Sequence, residues 1–143
     1  MDKDGATPLI RAAAKTPSPE IITVLIKNGA YVTARDKGGA TPLMWAAAKN
    51  PSLEVITVLI KNGAEVNAED KDGFSPLMFA AGENTNPGVI TALIKGGADV
   101  NAKDKEEITP LMLAALHNTN PEVITALIKG GADVTAENKS GST

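Results

Sequence analysis

Apolar and polar positions along this chain follow one pattern that restarts at equal intervals from end to end. From Thr41 it runs through a proline to Leu43, Ala46 and Ala47, the i, i+3, i+4 spacing of a narrow helical stripe. From Ser52 it continues through Val55, Ile56, Leu59 and Ile60, a wider apolar face at the same helical period. The phrase that opens each round is Thr7-Pro8-Leu9, then Thr41-Pro42-Leu43-Met44, Ser75-Pro76-Leu77-Met78 and Thr109-Pro110-Leu111-Met112, and every step from one opening to the next is the same. A fixed period of this size predicts a solenoid, in which a unit buries its apolar faces only by stacking on the next.

The punctuation between stripes places the elements. Thr41 is a helix N-cap and Pro42 takes the first helical position, where its missing N–H costs nothing. That helix ends near Asn50, because Pro51 disfavours a helical residue before it. Ser52 caps a second helix, and Ser18-Pro19, Asn86-Pro87 and Asn120-Pro121 hold the same place elsewhere. Glu20, Glu54 and Glu122 fall in first turns, where a carboxylate complements the helix dipole. Lys61 and Gly63 close the helix, Ala64 to Ala68 reads as a short extended arm, and Asp70-Lys71-Asp72-Gly73 is a tight turn. The unit is therefore turn, helix, connection, helix, arm. Repeats are expected over about 2–35, 36–69, 70–103 and 104–137, within a single domain of residues 1–143 whose last residues, 138–143, begin a fifth unit.

Two helices in a repeat of this length also fit a tetratricopeptide repeat, but that unit carries neither the Gly-Ala-x-Val arm nor the Asp-x-x-Gly turn. The string Asp-x-x-Gly-x-Thr-Pro-Leu-x-x-Ala-Ala, followed by Glu-Val-Ile-x-x-Leu-Ile-x-x-Gly-Ala-x-Val-Asn-Ala, resembles the ankyrin repeat over essentially the whole chain. The resemblance implies an all-α ankyrin-repeat solenoid of stacked helix–loop–helix units with projecting β-turn or hairpin loops. Its implied function is protein–protein interaction through a concave groove and the hairpin tips. Two features depart from the usual pattern. One residue is inserted in the loop between helices, and Ile10, Met44, Met78 and Met112 stand where the family has a histidine. That histidine's hydrogen bonds are expected to be absent, with flexible side chains filling the space.

Composition narrows the chemistry. A net charge of −3 and a pI of about 5.1 argue against nucleic acid or an anionic membrane as the main partner. The chain has no cysteine, which excludes disulfides and thiolate metal sites. Met1 to Gly5 is not a signal peptide and no apolar run reaches membrane-spanning length, so a soluble cytoplasmic module is expected. His117 is the sole histidine and has no companion at ligand spacing. Asp70-Lys71-Asp72-Gly73 opens like a calcium loop but lacks the later oxygens, and Asn138-Lys139-Ser140 is a glycosylation sequon by pattern only. No catalytic residue, metal or cofactor is expected.

Positions that differ between units are free to specialise. They cluster on the first helix, where Arg11 with Lys15, Trp45 with Lys49, Phe79 with Glu83 and Leu113 with His117 stand four residues apart on one face. The turn tips vary as well, at Ala6, Ala40, Phe74 and Ile108, with Lys37 beside them. By the resemblance, Arg11, Lys15, Lys37, Trp45, Lys49, Phe74, Phe79, Glu83, Ile108, Leu113 and His117 are the candidate partner-binding residues. Trp45, Phe79 and Leu113 have two open readings: interface anchors, or packing on neighbouring first helices. Arg11, Lys15 and Lys49 make the N-terminal half of this face basic and Glu83 makes the other half acidic; a solvated mix of charges is the preferred reading over a polarised one. Glu107 occupies the turn position held by Gly73, and is expected to be strained by about 1 kcal/mol if the position needs φ > 0.

Ile21, Ile22, Leu25 and Ile26 in the first unit, and Val123, Ile124, Leu127 and Ile128 in the last, keep the internal apolar pattern where solenoids normally place polar caps. End-to-end self-association is expected from them. The preferred function is a non-catalytic binding scaffold for a protein partner. The alternative is an engineered or excised repeat array with no specific partner.

Overall fold

The computed structural model describes residues 3–142. Eight helices and no strand occur among them: α1 (Pro8–Lys15), α2 (Pro19–Lys27), α3 (Pro42–Lys49), α4 (Leu53–Lys61), α5 (Pro76–Glu83), α6 (Pro87–Lys95), α7 (Pro110–His117) and α8 (Pro121–Lys129). Odd-numbered helices start at equal intervals along the chain, and so do the even-numbered ones. The odd helices pack side by side in one row and the even helices in a second row behind it.

The capping signals act where expected except at Ser18, whose hydroxyl donates to the Glu20 carboxylate and leaves α2 without a side-chain cap. Thr7, Thr41, Ser75 and Thr109 accept at their hydroxyls from the backbone N–H of Ile10, Met44, Met78 and Met112, at 3.2, 3.3, 3.3 and 3.3 Å. Met44 does more than fill space, since its sulfur accepts a weak bond from the Thr41 N–H at 3.4 Å. Each even helix ends on a left-handed glycine, Gly29, Gly63, Gly97 or Gly131, with φ between 99° and 104°. In the second unit Gly63 N–H donates to Ile60 O and Ala64 N–H to Leu59 O, satisfying the helix's last carbonyls.

The arm is not extended as the sequence suggests. Ala68 N–H donates to Glu65 O, so the chain bends at Val66 and Asn67. Across the bend Val66 packs against the core and Ala68 is buried.

Leu43, Ala46 and Ala47 of α3 and Val55, Ile56 and Leu59 of α4 are wholly buried, and their counterparts repeat this in α5 and α6. Each buried leucine or isoleucine stabilises by roughly 1.5–3 kcal/mol, and the small alanines let neighbouring helices close on one another. Ile22, Val123 and Leu127 belong to this core too, which corrects the expectation that the whole stripe at each end is exposed: α2 packs on both α1 and α4, and α8 on both α7 and α6. The apolar side chains that face water there are Ile21 and Val24 on α2 and Ile128 on α8.

Side-chain amides tie the units together. Asn50 donates from Nδ2 to Ala13 O and Thr16 O, Asn84 to Ala47 O and Asn50 O, and Asn118 to Ala81 O and Asn84 O. Their Oδ1 atoms accept from Ser52, Asn86 and Asn120 N–H, holding the loop before the next helix. A second set uses Asn67 and Asn101, which donate to Gly97 O and Gly131 O and accept from Asp99 and Asp133 N–H.

Glu107 is the one non-glycine residue with positive φ among the described residues, at 60°. Its carboxylate lies 3.7 Å from Lys103 Nζ, an exposed pair that contributes little. Glu107→Gly is therefore expected to raise stability by about 0.5–1 kcal/mol, read as a shift of the urea midpoint. An unchanged or lower midpoint would mean that the turn holds Glu107 without strain.

Candidate functional site

The turns and the odd helices build one face, and a single carboxylate organises each turn. Asp36 Oδ1 accepts from Gly38 and Ala40 N–H, Asp70 Oδ1 from Asp72 and Phe74 N–H, and Asp104 Oδ1 from Glu106 and Ile108 N–H. Asn138 repeats the arrangement with Ser140 and Ser142. Successive turns are stitched by backbone bonds, Lys37 N–H to Asp4 O and Lys71 N–H to Gly38 O, both 3.0 Å.

Asp36 has a second task. Its Oδ2 accepts from Trp45 Nε1–H at 2.9 Å, which ties the indole on α3 to the turn that precedes it. Trp45 is half-buried and packs with Phe79 on a small cluster of Ala40, Met44 and Ala68. Phe79, one unit on, meets the ring of Phe74 at 5.6 Å between centroids and 58° between planes, a tilted pair. Trp45 and Phe79 thus pack on their neighbours, as one of the two readings expects, and each stays partly exposed to water.

Hollows open on both sides of the indole. One of about 350 Å³ lies between Trp45 and Phe79, with buried Met44, Ala40 and Ala48 as its floor and Asp36, Asp70, Asp72, Lys49 and Glu83 around it. A smaller one of about 130 Å³ is lined by Ile10, Arg11, Ala14, Lys15 and Asp4 together with Asp36 and Trp45. A third, of about 350 Å³, lies further along the same face beside Ile108, Met112, Leu116 and His117. A hollow of about 640 Å³ is an open furrow on the other side of the molecule between α6 and α8, lined by Thr91, Ile94, Thr125 and the stems of Lys95 and Lys129 without an aromatic group.

The candidate residues divide. Arg11, Lys15, Lys37, Lys49, Glu83 and His117 are exposed, whereas Phe74 and Ile108 are half-buried at the turn tips. Leu113, at the Trp45 position of α7, withdraws to 9% exposure against Gly82 and packs as core more than as anchor. The charges also fall differently from the reading of a basic and an acidic half. Lys49 Nζ and Glu83 Oε1 pair at 2.6 Å, and Asp4, Asp36, Asp70 and Asp72 bring carboxylates to the hollows beside Trp45. Sequence reasoning assigns those aspartates to turn chemistry alone. For Asp36 the signal of a second role is the tryptophan nine residues on, close enough to reach its second carboxylate oxygen.

Among the described residues no group of three His, Asp or Glu is placed to hold a metal ion, and no buried side-chain nitrogen or oxygen lacks a partner. Glu20 is held below the ordinary carboxyl range by the Ser18 hydroxyl and Asp133 by the Thr135 hydroxyl, and neither lines the hollows beside Trp45. No helix among the described residues is long and apolar enough to cross a membrane.

Two stacked rows of short helices with aspartate-centred turns along one edge define a helical repeat protein. A family model of ankyrin repeats, in three copies, matches residues 1–70 and 47–138, and the chain belongs to the ankyrin repeat family. A search of curated proteins finds no match to it. Ankyrin repeats generally mediate protein–protein interactions and the family is typically non-catalytic.

Proposed function

We propose that this chain is a non-catalytic scaffold that binds a protein partner along the face of its turns and odd helices. The observation that carries the reading is Trp45, held by Asp36 with a hollow on each side. An aromatic side chain fixed in place and half-exposed gives contact area at little entropy cost, the property of interface anchors. Phe74, Phe79 and Ile108 extend the apolar contact along the face, while Arg11, Lys15, Lys37, Lys49, Glu83 and His117 supply a polar rim. Leu113 supports the third hollow from beneath.

The test uses peptides selected on this protein from a random displayed library. Trp45→Ala and Phe74→Ala are expected to weaken the selected peptides about tenfold or more each, and Thr91→Ala, in the furrow between α6 and α8, to leave them unchanged. Because Trp45 also packs on Ala40, Met44 and Ala68, thermal melts accompany each variant, and the comparison is made where all are folded. Equal binding by all three variants would remove this face as the binding surface.

A second reading, stacking of copies end to end, is favoured by the exposed Ile21 and Val24 on α2 and Ile128 on α8. Light scattering on the parent and on a variant with both Ile21→Lys and Ile128→Lys is expected to show association lost in the variant. A parent that stays monomeric at high concentration overturns it.

A further inference from the structure

The hollow between Trp45 and Phe79 combines features that select one kind of occupant. Its floor is apolar, with Met44 1% exposed, and it is bordered by two aromatic side chains, Trp45 and Phe79. Around it stand four carboxylates, Asp36, Asp70, Asp72 and Glu83, and one ammonium, Lys49, which Glu83 already neutralises. Asp36 is occupied at both oxygens, by the turn and by the indole. Asp70 uses only Oδ1, and Asp72 accepts no side-chain bond from any described residue. Two carboxylates with unspent acceptors therefore flank an aromatic, apolar hollow of about 350 Å³, within the range of sites that take small ligands.

We propose that this hollow receives the side chain of an arginine or lysine carried by the protein partner. The inference rests on the binding reading above and names the chemistry of that partner. The methylene stem would lie on Met44 and Ala48, the aromatic groups would attract the cation, and Asp70 and Asp72 would accept its N–H donors. A planar guanidinium suits the place especially, because it stacks on rings and forks to carboxylates. An acidic or neutral side chain entering the same hollow would meet uncompensated carboxylates or leave them unpaired.

The chain's single tryptophan makes the test direct, since the indole N–H gives one resonance, and that group sits at the hollow. The probes are the peptides acetyl-Leu-Arg-Leu-amide and acetyl-Leu-citrulline-Leu-amide, which differ in charge but hardly in shape. The arginine peptide is expected to shift the Trp45 indole resonance saturably, and the citrulline peptide to bind about tenfold more weakly or not at all. The double variant Asp70→Asn, Asp72→Asn is expected to erase that difference. It should fold, because Asn138 already organises its turn with the same amide oxygen. Equal binding of both peptides, or a preference that survives the double variant, overturns the proposal, as does an indole resonance that neither peptide moves.

The displayed-library selection separates this failure from that of the general reading. Selected peptides that perturb Trp45 but show no enrichment in arginine or lysine would sink the basic-side-chain inference and leave the scaffold reading standing. Selected peptides indifferent to Trp45→Ala and Phe74→Ala would sink both.

Discussion

Asn84→Ala is expected to destabilise the protein by about 3 kcal/mol, lowering the melting temperature by roughly 10 °C. Asn84 is 4% exposed and has no freedom to exchange its partners for water. Its amide donates to Ala47 O at 3.0 Å and Asn50 O at 2.8 Å, and its oxygen accepts from Asn86 N–H at 3.0 Å. The Ala47 carbonyl depends on it particularly. In a continuing helix that carbonyl would accept from residue 51, but residue 51 is proline and has no N–H. Alanine removes three hydrogen bonds of about 1 kcal/mol each and leaves buried carbonyls without donors. Asn84→Asp is the sharper control, since it keeps the acceptor and loses the donors. A carboxylate facing two carbonyls in a buried place titrates above its ordinary range, so this variant should be least stable at neutral pH and recover partly on acidification. Asn118→Ala, at a more exposed rung, should cost less. Equal, small losses at Asn84 and Asn118 would mean that the ladder contributes little and that apolar stacking alone joins the units.

Gly39→Ala is expected to cost about 2 kcal/mol or more, for two reasons that add. Its φ is 84°, which an alanine adopts only with strain. A Cβ there would also lie 3.1 Å from the Lys71 backbone nitrogen and 3.4 Å from Asp70 Cα, where the next turn presses in. Backbone cannot swing aside as a side chain can, so the Lys71 N–H to Gly38 O bond between turns would have to lengthen. Gly97→Ala separates the two effects, because Gly97 has φ of 104° but nothing within 4 Å of the added carbon. That variant should cost only about 1 kcal/mol. Urea midpoints of the two variants decide the matter, and equal midpoints would show that turn-to-turn contact is looser than the geometry indicates.

The candidate site is legible in the sequence in outline. Unit-to-unit variation at Trp45, Phe79, Lys49 and Glu83 marks one face of the first helices, and the structure does place these four residues around one hollow. What a linear reading misses is distance across units. Along the chain Lys49 and Glu83 fall in opposite halves of the face, yet one full repeat brings the backbone back to the same place one helix over, and the two side chains meet. Helices packed about 8–10 Å apart bring long side chains at equivalent positions within reach of each other. Asp-x-x-Gly explains Asp36 and Asp70 locally, through their own turns. The turn pattern does not say where the second carboxylate oxygen goes; only for Asp36 does a nearby residue, Trp45, mark it.

By itself the sequence determined the helices, their caps and their order, since these follow from interactions within a few residues: a hydroxyl before a proline, a stripe at helical period, a glycine that can turn left-handed. It determined the stacking as well, through a strict repeat that leaves each unit's apolar face without cover until the next arrives. Only the tertiary structure decided which side chains of that repeat meet across units. Asn50, Asn84 and Asn118 became an inter-unit ladder, Leu113 sank while Trp45 stayed half-exposed, and Ile22 was buried while its neighbour Ile21 was not. Those outcomes depend on separations of a few ångströms between residues a whole repeat apart, which no window along the chain contains.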